Sequence, residues 1–205
     1  MGFYSKFILP KVVHFTCGLN PNMRQREKVV PQARGSVLEI GIGSGLNLPF
    51  YDSTKVTKIW GLDPSPEMIK LAEQMARSLH LEVEFIGLPA DEIQLDDGSI
   101  DTVLITYTLC SILDTTPALR QMARVLRPGG ELIFCEHGAA PDANVRRWQN
   151  HLNPIWKQFA GGCNLNRPIP DLIEAGGFRI NALETMYIPG WRPACFNYWG
   201  IAVPR

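Results

Sequence analysis

The sequence is poor in the features that define several protein classes. Its 205 residues hold five cysteines, Cys17, Cys110, Cys135, Cys163 and Cys195, odd in number, widely spaced and with no C-x-x-C pair. Such spacing gives neither a disulfide framework nor a zinc knuckle, so no metal is expected, and it suits a reducing cytoplasm. Neither sign of charge predominates: 20 Lys+Arg balance 20 Asp+Glu, which argues against a nucleic-acid binder that works by neutralising phosphates. No apolar run approaches the ~18 residues of a membrane span, and the stretch from Phe3 to Leu19 is broken by Lys6, Pro10, Lys11 and His14. That stretch also lacks the apolar h-region and small-residue cleavage site of a secretory signal. Internal repeats, low-complexity tracts and interdomain linkers are absent too.

What is present is a globular composition, 45% hydrophobic and 20% charged, of a length that suits one domain. Residues 1–31 read as two short helices, the first with an apolar face from Phe3, Phe7, Val12 and Val13, the second polar and opened by Asn20-Pro21. From Ser36 the period changes. Val37 to Ile40, Val56 to Leu62, Val83 to Ile86, Ile100 to Thr106 and Leu132 to Cys135 read as short buried strands. Met68, Leu71, Met75 and Leu79 mark one intervening helix face, and Leu119, Met122, Ala123 and Leu126 another, closed by Pro128-Gly129-Gly130. This alternation implies a parallel sheet with helices on both faces and ligands at the carboxyl ends of its strands. Beyond Glu136, Trp148 to Phe159 reads as an aromatic helix, kinked at Pro154, whose stripe serves core or lid packing. Phe178 to Tyr187 and Cys195 to Val203 read as a closing pair of strands.

Chemistry concentrates where strands end. Glu39-Ile40-Gly41-Ile42-Gly43-Ser44-Gly45 places a glycine at every second position, with Leu46 where a dinucleotide fingerprint needs its third glycine. The loop is therefore either a nucleoside-cofactor cradle or a tight turn, and a nicotinamide-dependent oxidoreductase is disfavoured. Asp63, at the end of the second strand, is placed either to accept both ribose hydroxyls or only to cap the helix that Pro64-Ser65-Pro66 opens. After the third strand, Ala90-Asp91-Glu92 offers an acceptor for an adenine amino group, or only a solvated loop acid.

Taken together, the E-x-G-x-G-x-G run at 39–45, Asp63-Pro64-Ser65, Ala90-Asp91 before Asp97-Gly98-Ser99-Ile100-Asp101, and Arg124 to Gly130 resemble class I S-adenosylmethionine-dependent methyltransferases. The C-terminal third is similar to their alkyl-thiol S-methyltransferase branch, through Leu109-Cys110-Ser111, Glu136-His137, Trp148-Gln149, Asn153-Pro154-Ile155-Trp156 and Gly162 to Arg167. The resemblance implies an α/β, Rossmann-like seven-stranded sheet, mostly parallel with an antiparallel last strand, helices on both faces and an N-terminal helical extension. It implies one methyltransferase domain over residues 1–205: a helical lid at 1–33, a cofactor-binding core at 34–140, and a substrate lid with closing strands at 141–205.

By the same resemblance S-adenosylmethionine is the cofactor and S-adenosylhomocysteine the product. Glu39, Gly41, Gly43 and Gly45 would hold the methionine part, Asp63 the ribose, Ser65 and Met68 would flank the ribose or the adenine, Ala90 and Asp91 would meet the adenine edge, Thr106 would lie beneath the methionine end, and Asn47 and Pro64 would also contact the cofactor. Tyr4, Phe7, Tyr107, Cys110, Trp156 and Asn164 would line the substrate pocket. The acceptor would be a small thiol such as sulfide or methanethiol, with membrane contact at most peripheral. Attack by sulfur requires thiolate, and a free thiol ionises near ~8.5, so a proton acceptor is needed. His137, directly after the fifth strand, fits that role, with Glu136 as its neighbour or a cofactor contact, although a histidine there also serves as a purely structural residue. Cys110 and Cys163 read as small buried hydrophobes. A methyltransferase acting on a quinone ring carbon or a lipid amine shares every cofactor motif, and a non-catalytic cofactor-binding module remains a further reading.

Overall fold

The structure, a computed structural model, describes residues 8–205. Tyr4 and Phe7 lie outside the described residues. Two helices, α1 (Leu9–Cys17) and α2 (Asn20–Val29), precede β1 (Gly35–Ile40), β2 (Val56–Leu62), α3 (Pro66–Leu79), β3 (Val83–Ile86), β4 (Ile100–Thr106), α4 (Thr115–Val125) and β5 (Leu126–His137). They are followed by α5 (Ala143–Phe159), α6 (Ile169–Ala175), β6 (Phe178–Tyr187) and β7 (Phe196–Pro204). One seven-stranded sheet takes the order β3-β2-β1-β4-β5-β7-β6. The first five strands pair in parallel, and β7 runs antiparallel to both β5 and β6.

Side chains alternate across the sheet, and each face has its own cover. Leu38, Ile40, Val103, Ile105, Leu132 and Phe134 point to one side, where α4 adds Ala118, Leu119, Met122 and Val125, and α6 adds Ile169 and Ile173. The alternate residues Val37, Leu104, Ile133 and Cys135 meet Val29, Val30 and Ala33 on the other side. Each such side chain contributes roughly 1.5–3 kcal/mol when fully buried. The end of the N-terminal helical extension, Val29 to Ala33, thus contributes to the core. Strand order reverses between β1 and β4, and it is outside the carboxyl ends of these strands that an open α/β sheet leaves a crevice for ligands.

The C-terminal third departs from the sequence reading in the way its helix packs. α5 runs through Pro154 as one helix, and its buried polar residue is Gln149, whose amide accepts from Ala140 N and reaches the carbonyls of Gly138, Leu165 and Pro193, all at 2.9 Å. The aromatic stripe expected to pack inward is largely outward: Trp148 is 60% and Phe159 63% exposed. An amphipathic period reports that a helix has two faces, and here the inward anchor is an amide that accepts from one backbone N–H and shares its two N–H donors among three carbonyls of the surrounding loops.

Candidate active site

β1 ends in a loop whose Gly41 and Gly43 sit at φ +66° and +56°, a left-handed conformation that costs glycine little. A Cβ on Gly41 would drive into the side chain of Thr108, so the loop packs directly on the turn after β4. A Cβ on Gly43 would press on Met68 Cε at 3.3 Å and touch Gly41 O at 3.8 Å, so the space beside this position is bounded by the far end of one flexible side chain. Across that space stands Asp63. Its Oδ2 accepts from Gly43 N at 3.0 Å and its Oδ1 from Ser65 N at 2.9 Å, while burial pushes its pKa up and these two bonds oppose the rise. The cap of α3 is Ser65, whose Oγ accepts from Met68 N at 3.3 Å, so capping is not what places Asp63 here. Of the other residues expected around the nucleoside, Pro64 is exposed beside Asp63, Ala90 is buried and Asp91 is exposed in the turn after β3.

Beneath the loop lies a polar network that sequence reasoning found only in part. Glu39 accepts from Asn47 Nδ2 at 2.9 Å and from the Tyr51 hydroxyl at 2.7 Å, so both its oxygens are engaged inside the protein. Burial pushes its pKa up to about 7, against the pull of those two donors and of Arg26. Arg26, from α2, donates to Asn47 Oδ1 at 2.7 Å and to Thr106 Oγ1 at 2.6 Å, and lies 5.0 Å over the Tyr107 ring. Tyr107 takes φ 52°, unusual for a bulky residue, which turns its hydroxyl to donate to Asn197 Oδ1 at 2.8 Å. Arg26 and Tyr51 were missed. A signal for Arg26 existed: it shares the i, i+3, i+4, i+7 positions with Val29, Val30 and Ala33 and so belongs to the buried face of a helix that looked merely polar.

The third part of the site joins residues remote in sequence. Glu136 Oε1 accepts from the backbone of Thr108 and Leu109 at 2.7 and 2.9 Å, which fixes the turn that carries Cys110. Burial raises its pKa to about 7 despite these bonds. His137 Nε2 lies 3.1 Å from Cys163 Sγ, and Cys110 Sγ lies within 4.8 Å of both. The donated Cys110 hydrogen bond, ahead of the opposing effect of burial and with help from His137 and Trp156, holds Cys163 well below the usual thiol range, and Cys110 is raised correspondingly. Burial depresses the His137 pKa, but the neighbouring sulfur outweighs it and the net shift is upward. Asn164 does not face the cluster as a free amide: it binds the carbonyls of Cys110 and Gly162 at 3.0 and 2.9 Å and accepts from Asn153 at 3.0 Å, clamping its loop to the turn after β4. Trp156 stacks at 5.6 Å on Trp191 beside the cluster. A sulfur and imidazole cluster thus adjoins, through Thr108, the loop that frames the space at Gly43.

Residues 38–134 match the family described as methyltransferase domain. Thiol S-methyltransferase TMT1A of Homo sapiens is 35% identical over 205 aligned residues, covering 91% of this chain and 83% of that protein. The chain belongs to the thiol S-methyltransferase branch of the class I methyltransferases. Thiol S-methyltransferase TMT1B of Homo sapiens is 37% identical, covering 82% of this chain and 70% of that protein. In fold, this methyltransferase superposes on the YcgJ protein of Bacillus subtilis with a TM-score of 0.69 at 19% identity, covering 89% of this chain and 97% of the other. The enzyme takes S-adenosylmethionine as its cofactor, and the residues present fit it. At Gly43 a Cβ would crowd the end of Met68, a cradle that a side chain would fill, and each Asp63 oxygen keeps a lone pair beyond the backbone bond it accepts.

Proposed function

We propose that this methyltransferase transfers the methyl group to the sulfur of small aliphatic thiols. The observation that carries the reading is the His137, Cys163 and Cys110 cluster beside the cofactor loop, a soft, sulfur-lined site with its own proton acceptor. The identity to proteins named thiol S-methyltransferases supports it. When bound, the cofactor supplies a sulfonium-activated methyl group. The chain's part is to bind, orient and deprotonate. Gly41, Gly43, Gly45 and Asn47 cradle the methionine part, with Glu39 and Thr106 fixing Asn47 in place. Asp63, backed by Pro64 and Ser65, holds the ribose, and Met68, Ala90 and Asp91 flank the adenine. An acceptor thiol entering between Cys110, Trp156 and Tyr107 hands its proton to the His137–Cys163 pair, while Glu136 keeps the Thr108–Cys110 turn in position. Displacement between a thiolate and a sulfonium neutralises charge, so the dry setting of the cluster favours it.

Among the described residues no helix is long and apolar enough to cross a membrane. Five free cysteines fit a reducing cytoplasm, with at most peripheral membrane contact. The test is an acceptor panel with methyl-labelled cofactor: sulfide, methanethiol, a longer aliphatic thiol, a quinol and an amine lipid. Label in methanethiol from sulfide or in the thioethers from the alkyl thiols supports the reading, and label only in the quinol or lipid refutes it. Within the thiols, His137→Ala should lower kcat/KM most for the least acidic acceptor, by up to the ~10²–10⁴-fold of general-base assistance. Equal losses across the series would leave His137 a positioning residue.

A further inference from the structure

The same cluster has the geometry of a metal centre. Cys110 Sγ, His137 Nε2 and Cys163 Sγ all lie within 4.8 Å of one another, with the imidazole nitrogen 3.1 Å from Cys163 Sγ. A tetrahedral zinc ion with Zn–S of about 2.3 Å and Zn–N of about 2.0 Å sets neighbouring donors about 3.6–3.8 Å apart. The three donors therefore reach such an ion with sub-ångström to one-ångström adjustments of side chains. They come from three elements: the turn after β4, the end of β5, and the loop after α5. Each is held by contacts that do not involve the three donor atoms. Glu136 pins the first through two backbone N–H groups, β5 to β7 pairing fixes the second, and Asn164 and Asn153 tie the third to Cys110 O and to α5. Two thiolates and an imidazole suit zinc and leave one tetrahedral position over, the arrangement that catalytic zinc sites share.

We propose that Cys110, His137 and Cys163 bind one zinc ion, and that the acceptor thiol takes its fourth position as a thiolate. This rests on the proposed thiol activity for the identity of the fourth ligand, and on geometry alone for the ion. With the ion bound, His137 and Cys163 act as ligands and no longer as the proton acceptor: the acceptor R–SH loses its proton to solvent as its sulfur binds the cation, and direct transfer to the His137–Cys163 pair is the route of the metal-free protein. A sulfur lone pair of the bound thiolate then forms the new S–CH₃ bond, while the S–CH₃ bond of the donor breaks and leaves its electron pair on the donor sulfur. The product is a neutral thioether, a far weaker ligand, which departs. The spacing of the cysteines along the chain concealed this site, because Cys110 and Cys163 meet only through the crossover between β4 and the loop after α5.

The experiment uses the full chain, stripped with a chelator and reloaded with zinc against a chromophoric competitor, or with cobalt(II) for spectroscopy. One ion per chain is expected, with an intense thiolate-to-cobalt band and tetrahedral ligand-field bands. Cys110→Ser, Cys163→Ser and His137→Ala should each weaken binding by about 100-fold or more, while Cys195→Ser, which is not one of the three clustered donors, should not. Circular dichroism on each variant confirms folding. Addition of a long-chain thiol should shift the cobalt bands, and the corresponding methyl thioether should not. Absence of stoichiometric binding, binding that survives Cys163→Ser, or isolation of only a Cys110–Cys163 disulfide overturns the site. Bands indifferent to thiol overturn the open position. Full-rate thiol methylation by metal-free enzyme refutes the ion's part and leaves the proposed function standing, whereas zinc binding and thiol ligation without thiol methylation support the site and refute the function.

Discussion

Replacing Arg26 by methionine probes the polar floor of the site while keeping the length of the side chain. In the native protein its guanidinium, 5% exposed, donates to Asn47 and Thr106 at 2.7 and 2.6 Å and lowers the pKa of buried Glu39. Hydrogen bonds to a charged group contribute roughly 1.5–3 kcal/mol each, and removing one member of a buried charged set costs about 3–5 kcal/mol because the other charge is left uncompensated. Against a total stability of roughly 5–15 kcal/mol the variant should fold but be weakened. The loss should also depend on pH. Glu39 titrates near about 7 in the native protein; without Arg26 its pKa rises further. At about pH 5.5 the carboxyl is neutral in both folded proteins and only the two lost hydrogen bonds count, together roughly 3–6 kcal/mol. At about pH 8 the native carboxyl, with its pKa of about 7, is ionised while the variant's stays protonated, and the loss grows by at most about 1.4 kcal/mol. Urea unfolding at the two pH values measures both, as a midpoint lowered by ~1–3 M at the acid end and by up to a further ~0.5 M at the alkaline end. A loss below about 1 kcal/mol, or one equal at both pH values, would refute the coupling between α2 and Glu39.

Three further outcomes follow from the same geometry. Asp63→Ala should weaken binding of S-adenosylhomocysteine by at least ~10-fold, since charge-assisted bonds to the ribose are lost along with the tie to Gly43 N; calorimetric affinity equal to wild type would confine Asp63 to ordering the loop. Gly43→Val should abolish cofactor binding, because the side chain would enter the space beside Met68 and the backbone sits at φ +56°; normal binding by the folded variant would remove the loop as the cradle. Glu39→Gln should flatten the pH dependence of stability. The native Glu39 pKa of about 7 lies above the 4.5 of an unburied glutamate, so the folded protein holds the extra proton and loses up to about 3 kcal/mol as pH rises between those values; an unchanged slope in the variant's unfolding curves would show that Glu39 is not the group responsible.

The sheet was legible because buried parallel strands read as short apolar runs, and Val37 to Ile40, Val56 to Leu62 and Ile100 to Thr106 recur as β1, β2 and β4 with nearly the same limits. The position of Asp63 was legible for a topological reason: the adjacent parallel strands β1 and β2 end side by side, Ile40 against Leu62, so the residues following each strand meet. Contacts that cross the fold left no local trace. Arg26 reaches Thr106 over 80 positions, and His137 meets Cys163 over 26. No periodicity encodes such pairs. Cys110 read as a buried hydrophobe because no basic residue adjoins it in sequence; its imidazole neighbour arrives from the end of another strand. The outward face of α5 was misread for a related reason, since apolar spacing does not say which face of a rim helix meets the sheet, and Gln149 decided it.

A single-turnover experiment with methyl-labelled S-adenosylmethionine, stoichiometric enzyme and one small aliphatic thiol tests the central claim most directly. The account predicts one labelled methyl thioether for each S-adenosylhomocysteine formed, with no label on the protein. Label on Cys163 or Cys110, or S-adenosylhomocysteine formed only with a quinol or an amine lipid, would contradict it.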